Sequence, residues 1–273
     1  MNINKPLLLI DASYFVFYRF YAVYSWWSRQ EENKGKSGKD AMEDLVFREK
    51  YNKMFRSVFK NLTKLYEAPI ENVIFVKDCP REEIWRNVHY DSYKSTREDS
   101  RVSFDRNVFA ESYKNIIPSL NCGFLSVDSM EADDIIAIIV KEVIHQKPDA
   151  DITIITNDND YVQLCHLSDT INIMNLQGKC LKDRIEVDDP KRYILFKTIL
   201  GDKSDNIPSI MKSVGVKTAI KLANNEDELS KFFKKYPDAK DQYEKNNILM
   251  NFDCIPDTLV AKVKDLLILE SKI

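Results

Sequence analysis

The chain has 273 residues, 44% of them hydrophobic and 30% charged, with a formal net charge of −3. That composition can bury a real core, and the length suits one large domain or a domain with a helical extension. The six glycines (35, 38, 123, 178, 201 and 215) form no GxG and no Walker A cradle, and three isolated histidines (89, 145, 166) exclude a His-rich zinc site. Five cysteines (79, 122, 165, 180, 254), an odd number without CxxC spacing, argue against a disulfide framework and a zinc ribbon and for a reducing compartment. The longest purely aliphatic run, 135–140, is too short to span a membrane, and the N-terminal apolar run is broken by Asp11. An intracellular protein with no membrane partner is expected.

In chain order, apolar runs at 7–10, 73–76, 123–127, 152–155 and 171–174 read as buried strands. Their continuous rather than alternating character suits a parallel sheet covered on both faces. Residues 28–44 are polar, contain Gly35 and Gly38, and read as a mobile insertion. Tyr51, Met54, Phe55, Val58, Leu62 and Leu65 recur at helical spacing, and 135–144 is apolar nearly all round, the mark of a buried helix. Residues 79–106 mix charge and aromatics with no clear period. The expected fold is α/β, a three-layer core with a mainly parallel sheet over residues 1–185. Beyond Pro190, the segments 193–200, 218–224, 228–236 and 259–269 look helical and make residues 186–273 a helical region. Two stretches are locally basic: 48–64 carries six basic residues against Glu49, and 206–225 carries Lys212, Lys217 and Lys221 with no acid. Either can meet a polyanion or be a solvated face.

The acids sit where the strands end. Asp11 closes the first run, Asp78 follows the second, Glu131, Asp133 and Asp134 follow the third, and Asp158 and Asp160 follow the fourth. An open parallel sheet binds ligands at the carboxyl ends of its strands. A single Asp there is also an ordinary turn residue, and acids in a first helical turn are favoured by the dipole. Four strand ends behaving alike, with only Lys77 interleaved, point to one convergent site. Carboxylates so close repel unless cations bind them, and all-oxygen ligation favours Mg²⁺ or Mn²⁺ over zinc. Two such ions, about 3.5–4 Å apart, can clamp an in-line phosphoryl displacement. A metal-dependent phosphodiesterase follows. Farther on, LGDKSDNIP adds Asp202 and Asp205, and Gly215 with Lys217 at a helix start can bind a phosphate.

LLLIDASY, VIFVKD, YKSTR, EADDIIA, ITIITNDNDYVQL and LGDKSDNIP occur in the order that resembles the flap endonuclease family of 5′ nucleases, with a PIN-like core, over residues 3–267. The resemblance implies a structure-specific 5′ nuclease, both flap endonuclease and 5′–3′ exonuclease, acting on branched or 5′-ended DNA or an RNA–DNA hybrid in replication or repair. It implies a monomer with two Mg²⁺ ions, Mn²⁺ substituting. Matching motifs make Asp11, Asp78, Glu131, Asp133, Asp134, Asp158, Asp160, Asp202 and Asp205 metal ligands, directly or through water. Lys94 and Arg97 match the basic pair that meets the scissile phosphate on a helical arch at 79–112. Arg81 and Arg86 match flanking arch basics. Residues 200–224 match a helix–two-turn–helix element that holds duplex DNA through Lys212, Gly215, Lys217 and Lys221 and takes K⁺ on backbone carbonyls.

The sequence departs from the family pattern at Ser209 and Ser213, where glycines are usual, at Cys79 after the second acidic motif, and at the C-terminus, where no sliding-clamp motif is visible. Three other readings share some of these features. A PIN-type single-strand ribonuclease lacks the long arch and the GDxSDN element; a silent junction-binding module lacks acids that are all present here; an aspartyl-nucleophile phosphatase wants DxD where Asp11, Ala12 and Ser13 stand.

Overall fold

Each of the five apolar runs becomes a strand in the computed structural model, which describes residues 1–96, 104–185, 187 and 189–270. The strands are β1 (Leu7–Asp11), β2 (Val73–Val76), β3 (Gly123–Leu125), β4 (Ile152–Ile155) and β5 (Ile171–Met174). All neighbours pair in parallel, in the order β3-β2-β1-β4-β5, with Leu8 beside Val73 and Leu7 beside Ile152. Side chains of a strand alternate between faces. Leu7, Leu9, Ile74, Val76, Ile152 and Ile154 join one core, while Leu8, Ile10, Val73, Phe75 and Ile155 join the other. Burial on both faces is why these runs are continuously apolar. At the sheet edge β5 exposes Asn172 and alternates instead.

The described helices are α1 (Ala12–Trp27), α2 (Gly38–Glu43), α3 (Leu45–Leu65), α4 (Asn107–Glu111), α5 (Ala132–Gln146), α6 (Pro190–Leu200), α7 (Val216–Ala223), α8 (Glu226–Lys235), α9 (Pro237–Met250) and α10 (Asp257–Glu270). One face of the sheet is covered by α1 and α3 in an aromatic core. Phe15 meets Phe55 and Phe75 edge-on at centroid distances of 4.6 and 5.3 Å. The other face packs on α5, in a core that runs without a break into Tyr193, Phe196, Ile199, Ala219, Ala239, Leu259 and Val263. The division near residue 185 is therefore one of secondary structure, not of packing.

One local expectation is corrected. The polar insertion at 28–44 is folded: Ser37 and Asp40 cap α2 reciprocally, the Trp27 indole donates to Asp44 (2.8 Å), and Asp44 starts α3 through the Val46 N–H (2.7 Å). The arch segment holds no long helix among the described residues, only short 3-10 turns at Arg81–Glu83 and Trp85–Val88, a turn at 91–96, and α4 running into a π-helical turn at Ser112–Ile116. Arg97 lies outside the described residues.

Gly201 ends α6 at φ +76°, and a Cβ there would lie 2.4 Å from the Pro208 carbonyl oxygen. The close approach lets Asp202 and Ile207 exchange backbone hydrogen bonds of 2.9 and 2.8 Å. Gly201→Ala meets both a disfavoured φ and rigid backbone, so urea unfolding should show a loss of about 2 kcal/mol or more.

Candidate active site

The carboxyl ends of β1, β2 and β4 and the first turn of α5 enclose a cleft of about 360 Å³ lined by Asp11, Asp78, Glu131, Asp133, Asp158 and Lys94. β1 and β4 are neighbours at the point where the strand order reverses, the usual crevice of such a sheet. Asp11 accepts the Tyr14 N–H (2.9 Å), starting α1, and the Thr156 hydroxyl (3.3 Å). Asp78 accepts the Ser13 hydroxyl (2.7 Å) and the Ala132 N–H (2.8 Å), which ties the end of β2 to α5. Asp158 accepts the Asp160 N–H (2.9 Å). Four separate segments thus deliver five carboxylates to one space.

Their charges are poorly balanced. Burial pushes Asp11 up to about 7, with the Asp78 and Asp158 charges adding to it. Burial, then Glu131 and Asp134, hold Asp133 well above the usual carboxylate range. Asp158 rises to about 6, through enclosure and then Asp160, although its surface stays open to cleft water, which weakens the effect. Glu131 goes the other way. Burial raises it, but Lys94 and Arg86 together outweigh that and leave it lowered. The Lys94 ammonium lies 2.5 Å from Glu131 and 3.6 Å from Asp205, and the Tyr93 hydroxyl donates to Glu131 (2.9 Å). An all-oxygen donor set short of positive charge, beside a buried Tyr161 hydroxyl with no partner among the described residues, fits hydrated divalent cations.

Other assigned residues fall elsewhere. Asp134 lies within 4.8 Å of Glu131 and Asp133 by its oxygens, but both of its oxygens are taken. Arg86 grips them at 2.7 Å each, and the Trp85 indole adds 2.9 Å. Arg86, expected among the arch basics that meet DNA, is 1% exposed and also donates to Glu131 and the Leu249 carbonyl. It positions the acids from behind, because a buried guanidinium next to a buried carboxylate is strongly held. Asp160 and Asp202 face each other across Lys197, at 3.1 and 2.6 Å, and Lys197 and Asp202 line a second cavity together with Asp11 and Asp158. Lys197 overcomes the burial of Asp202 and keeps its carboxyl below the usual range. Asp205 is buried against the backbone of Lys94, whose N–H it accepts at 3.0 Å.

Arg81 lines the cleft near its rim. Lys212 and Lys217 are exposed around the start of α7, and Lys221 pairs with Glu228 at the surface (2.9 Å). The sequence reading missed Ser13, Tyr93, Thr156, Tyr161 and Lys197. Ser13, Tyr93, Thr156 and Tyr161 stand inside the quoted motifs; Lys197 stands in none of them.

A parallel sheet of this order, with carboxylates converging on its carboxyl edge, defines an α/β fold with an acidic crevice. A family model described as "5'-3' exonuclease, N-terminal resolvase-like domain" matches residues 6–193, and the chain belongs to the 5′–3′ exonuclease family. A 5′–3′ exonuclease of Buchnera aphidicola subsp. Schizaphis graminum is 27% identical over 250 residues, covering 90% of this chain and 75% of the relative. A thermostable DNA polymerase I of Thermus filiformis is 27% identical over 223 residues, which are 80% of this chain and 23% of the polymerase. Among solved structures, the T5 D15 protein co-crystallized with metal ions matches with a TM-score of 0.69 at 20% identity, over 97% of this chain and 100% of that one. The T5 D15 flap endonuclease in a pseudo-enzyme-product complex with DNA and metal ions gives 0.68 at 19% identity, over 98% and 100%. Among the described residues no helix is long and apolar enough to cross a membrane.

A raised carboxyl pKa gives stability that is full below its ordinary value and is lost as pH rises through the folded-state value. For Asp11 that window runs from 3.8 to about 7. Without metal, Asp11→Asn should match the native protein near the bottom of that window. It should exceed the native protein by about 1–3 kcal/mol above the window. Divalent metal should reverse the order, as measured by denaturant titrations across the pH range.

Proposed function

We propose that the chain is a structure-specific 5′ nuclease that hydrolyses phosphodiester bonds near the 5′ ends and junctions of branched DNA, as a flap endonuclease and a 5′–3′ exonuclease. The observation that carries this reading is the meeting of Lys94 with a carboxylate cluster in one cleft: acids to hold divalent cations and a fixed cation to meet the phosphate. Asp11, Asp78, Asp133 and Asp158 would hold the metals directly, with Glu131, Asp160 and Asp202 around them. Mg²⁺, with Mn²⁺ as its substitute, would supply an activated water and stabilise the leaving oxygen.

The chain's own residues orient and exclude. Arg86 and Tyr93 fix Glu131, so Lys94 is aimed by a carboxylate that cannot swing away. An ammonium so held acts mainly on charge developing in the transition state. By the motif, Arg97 would share that role. Duplex binding falls to the groove between α6 and α7, lined by Lys203, Lys212 and Gly215. A Cβ on Gly215 would meet nothing within 4 Å, so this helix start is open to a phosphate. Ser209 donates its hydroxyl to the Met211 carbonyl (2.9 Å), so a side chain stands and bonds within this loop where the family pattern has glycine. K⁺ dependence is accordingly weaker than the family pattern implies.

Cleavage of single-flap, double-flap, nicked, blunt and single-stranded substrates, with DNA and RNA 5′ segments, separates the readings. Activity should require Mg²⁺, vanish in EDTA, and favour flaps and nicks. Preference for unpaired RNA, or robust cleavage in EDTA, would overturn the proposal. Lys94→Ala should slow single-turnover cleavage by the equivalent of about 2–4 kcal/mol and weaken binding little. Lys217→Ala should do the reverse, weakening binding alike for all sequences and reducing the salt slope by roughly 1. Binding isotherms against salt, with Ca²⁺ replacing Mg²⁺, measure the second effect.

A further inference from the structure

We infer that Asn206 is a positioning residue for cleavage: its side-chain amide latches the 90–96 turn and thereby aims Lys94 into the carboxylate cleft. The inference rests on the role proposed above for Lys94. Asn206 follows the two acids of the GDKSDN segment and touches none of the cleft carboxylates. Its amide is fully used. The Nδ2 group donates to the Ser92 carbonyl (3.1 Å) and to the Ser95 hydroxyl (2.7 Å), while Oδ1 accepts from the Thr96 hydroxyl. Its own carbonyl accepts from the Tyr90 hydroxyl (3.1 Å), and the preceding carbonyl, of Asp205, accepts the Lys94 N–H (3.0 Å). One short loop therefore grips a turn more than 100 positions away in sequence at Tyr90, Ser92, Lys94, Ser95 and Thr96.

The turn needs holding. Lys94 has φ +55°, a left-handed conformation that lysine adopts at a cost and keeps only where its surroundings impose it. Asn206 itself has φ +62°, where asparagine is among the few comfortable residues. Two N–H donors and one acceptor on a short stem are what the turn's carbonyl and hydroxyls require, and no other side chain of that reach supplies all three. Aspartate would set a carboxylate against the Ser92 carbonyl. Glycine would keep the backbone and lose the latch.

Released, the turn lets Lys94 leave its left-handed conformation and its place beside Glu131. A displacement of about 1 Å at a reacting centre costs on the order of 100-fold in rate. Substrate affinity should barely move, because the exposed lysines around α7 lie outside the latch.

The test is a cycle of Asn206→Gly and Lys94→Ala, read as single-turnover cleavage of a pre-bound flap and, separately, as flap affinity in Ca²⁺. Asn206→Gly should lower the rate about 10–100-fold with affinity within about twofold, and should have no further effect when Lys94 is already alanine. The pair Ser95→Ala and Thr96→Val, which cuts the latch from the other side without touching the left-handed residue, should reproduce the loss. An unchanged rate in Asn206→Gly, or an equal loss in both backgrounds, would overturn the latch and leave a general structural role. An unchanged rate in Lys94→Ala alone would instead remove the role of Lys94, and the inference with it.

Discussion

Carboxylate repulsion at the carboxyl edge of the sheet is the constraint on which the rest of the molecule depends. Asp11, Asp78, Glu131, Asp133 and Asp158 are delivered to one small cleft by segments that the hydrophobic cores hold in place. Burial and mutual charge push Asp11 and Asp133 toward protonation. The cores must outweigh that opposition, because the backbone offers these acids few N–H donors beyond those of Tyr14, Ala132, Asp134 and Asp160.

Resident cations relieve part of it, and each does so from a different direction. Arg86 satisfies Asp134 from behind, Lys94 neutralises Glu131 from the front, and Lys197 bridges Asp160 and Asp202 at the flank. Each also joins parts of the chain distant in sequence. Arg86 reaches the Leu249 carbonyl of α9, and Lys197 brings α6 against the turn after β4. The C-terminal helices are thus part of the site's electrostatics as well as of its core. With those three positions filled, the cleft's remaining need for positive charge falls on Asp11, Asp78, Asp133 and Asp158, where incoming cations gain most.

Lys94 shows what the fold adds to a motif: it is buried, left-handed in backbone and fastened through Asp205 and Asn206. A preorganised charge loses no orientational freedom at the moment of reaction, which is where electrostatic catalysis gains over water. The same loop carries Asp202, so the acid at the flank and the cation in the cleft are set by one tight turn, made possible by Gly201.

The amino-acid sequence by itself determined the strands, their parallel arrangement and the convergence of acids, because burial on two faces writes continuous apolar runs and each strand end is a local signal. It also carried the motif order from which the family could be named. It could not show that α1 is a helix, since aromatic residues on several of its faces blur the period, nor that 28–44 folds against Trp27. It could not separate Arg86, sealed in the core, from a surface arginine, or Asp134, consumed by that arginine, from Asp133 one residue away, which lines the cleft. Those outcomes depend on which distant partner reaches each charge. Arg86 reaches Asp134 across 48 positions and the Leu249 carbonyl across 163, Lys94 reaches Glu131 across 37, and Lys197 reaches Asp160 from another helix, so only the tertiary structure could decide them.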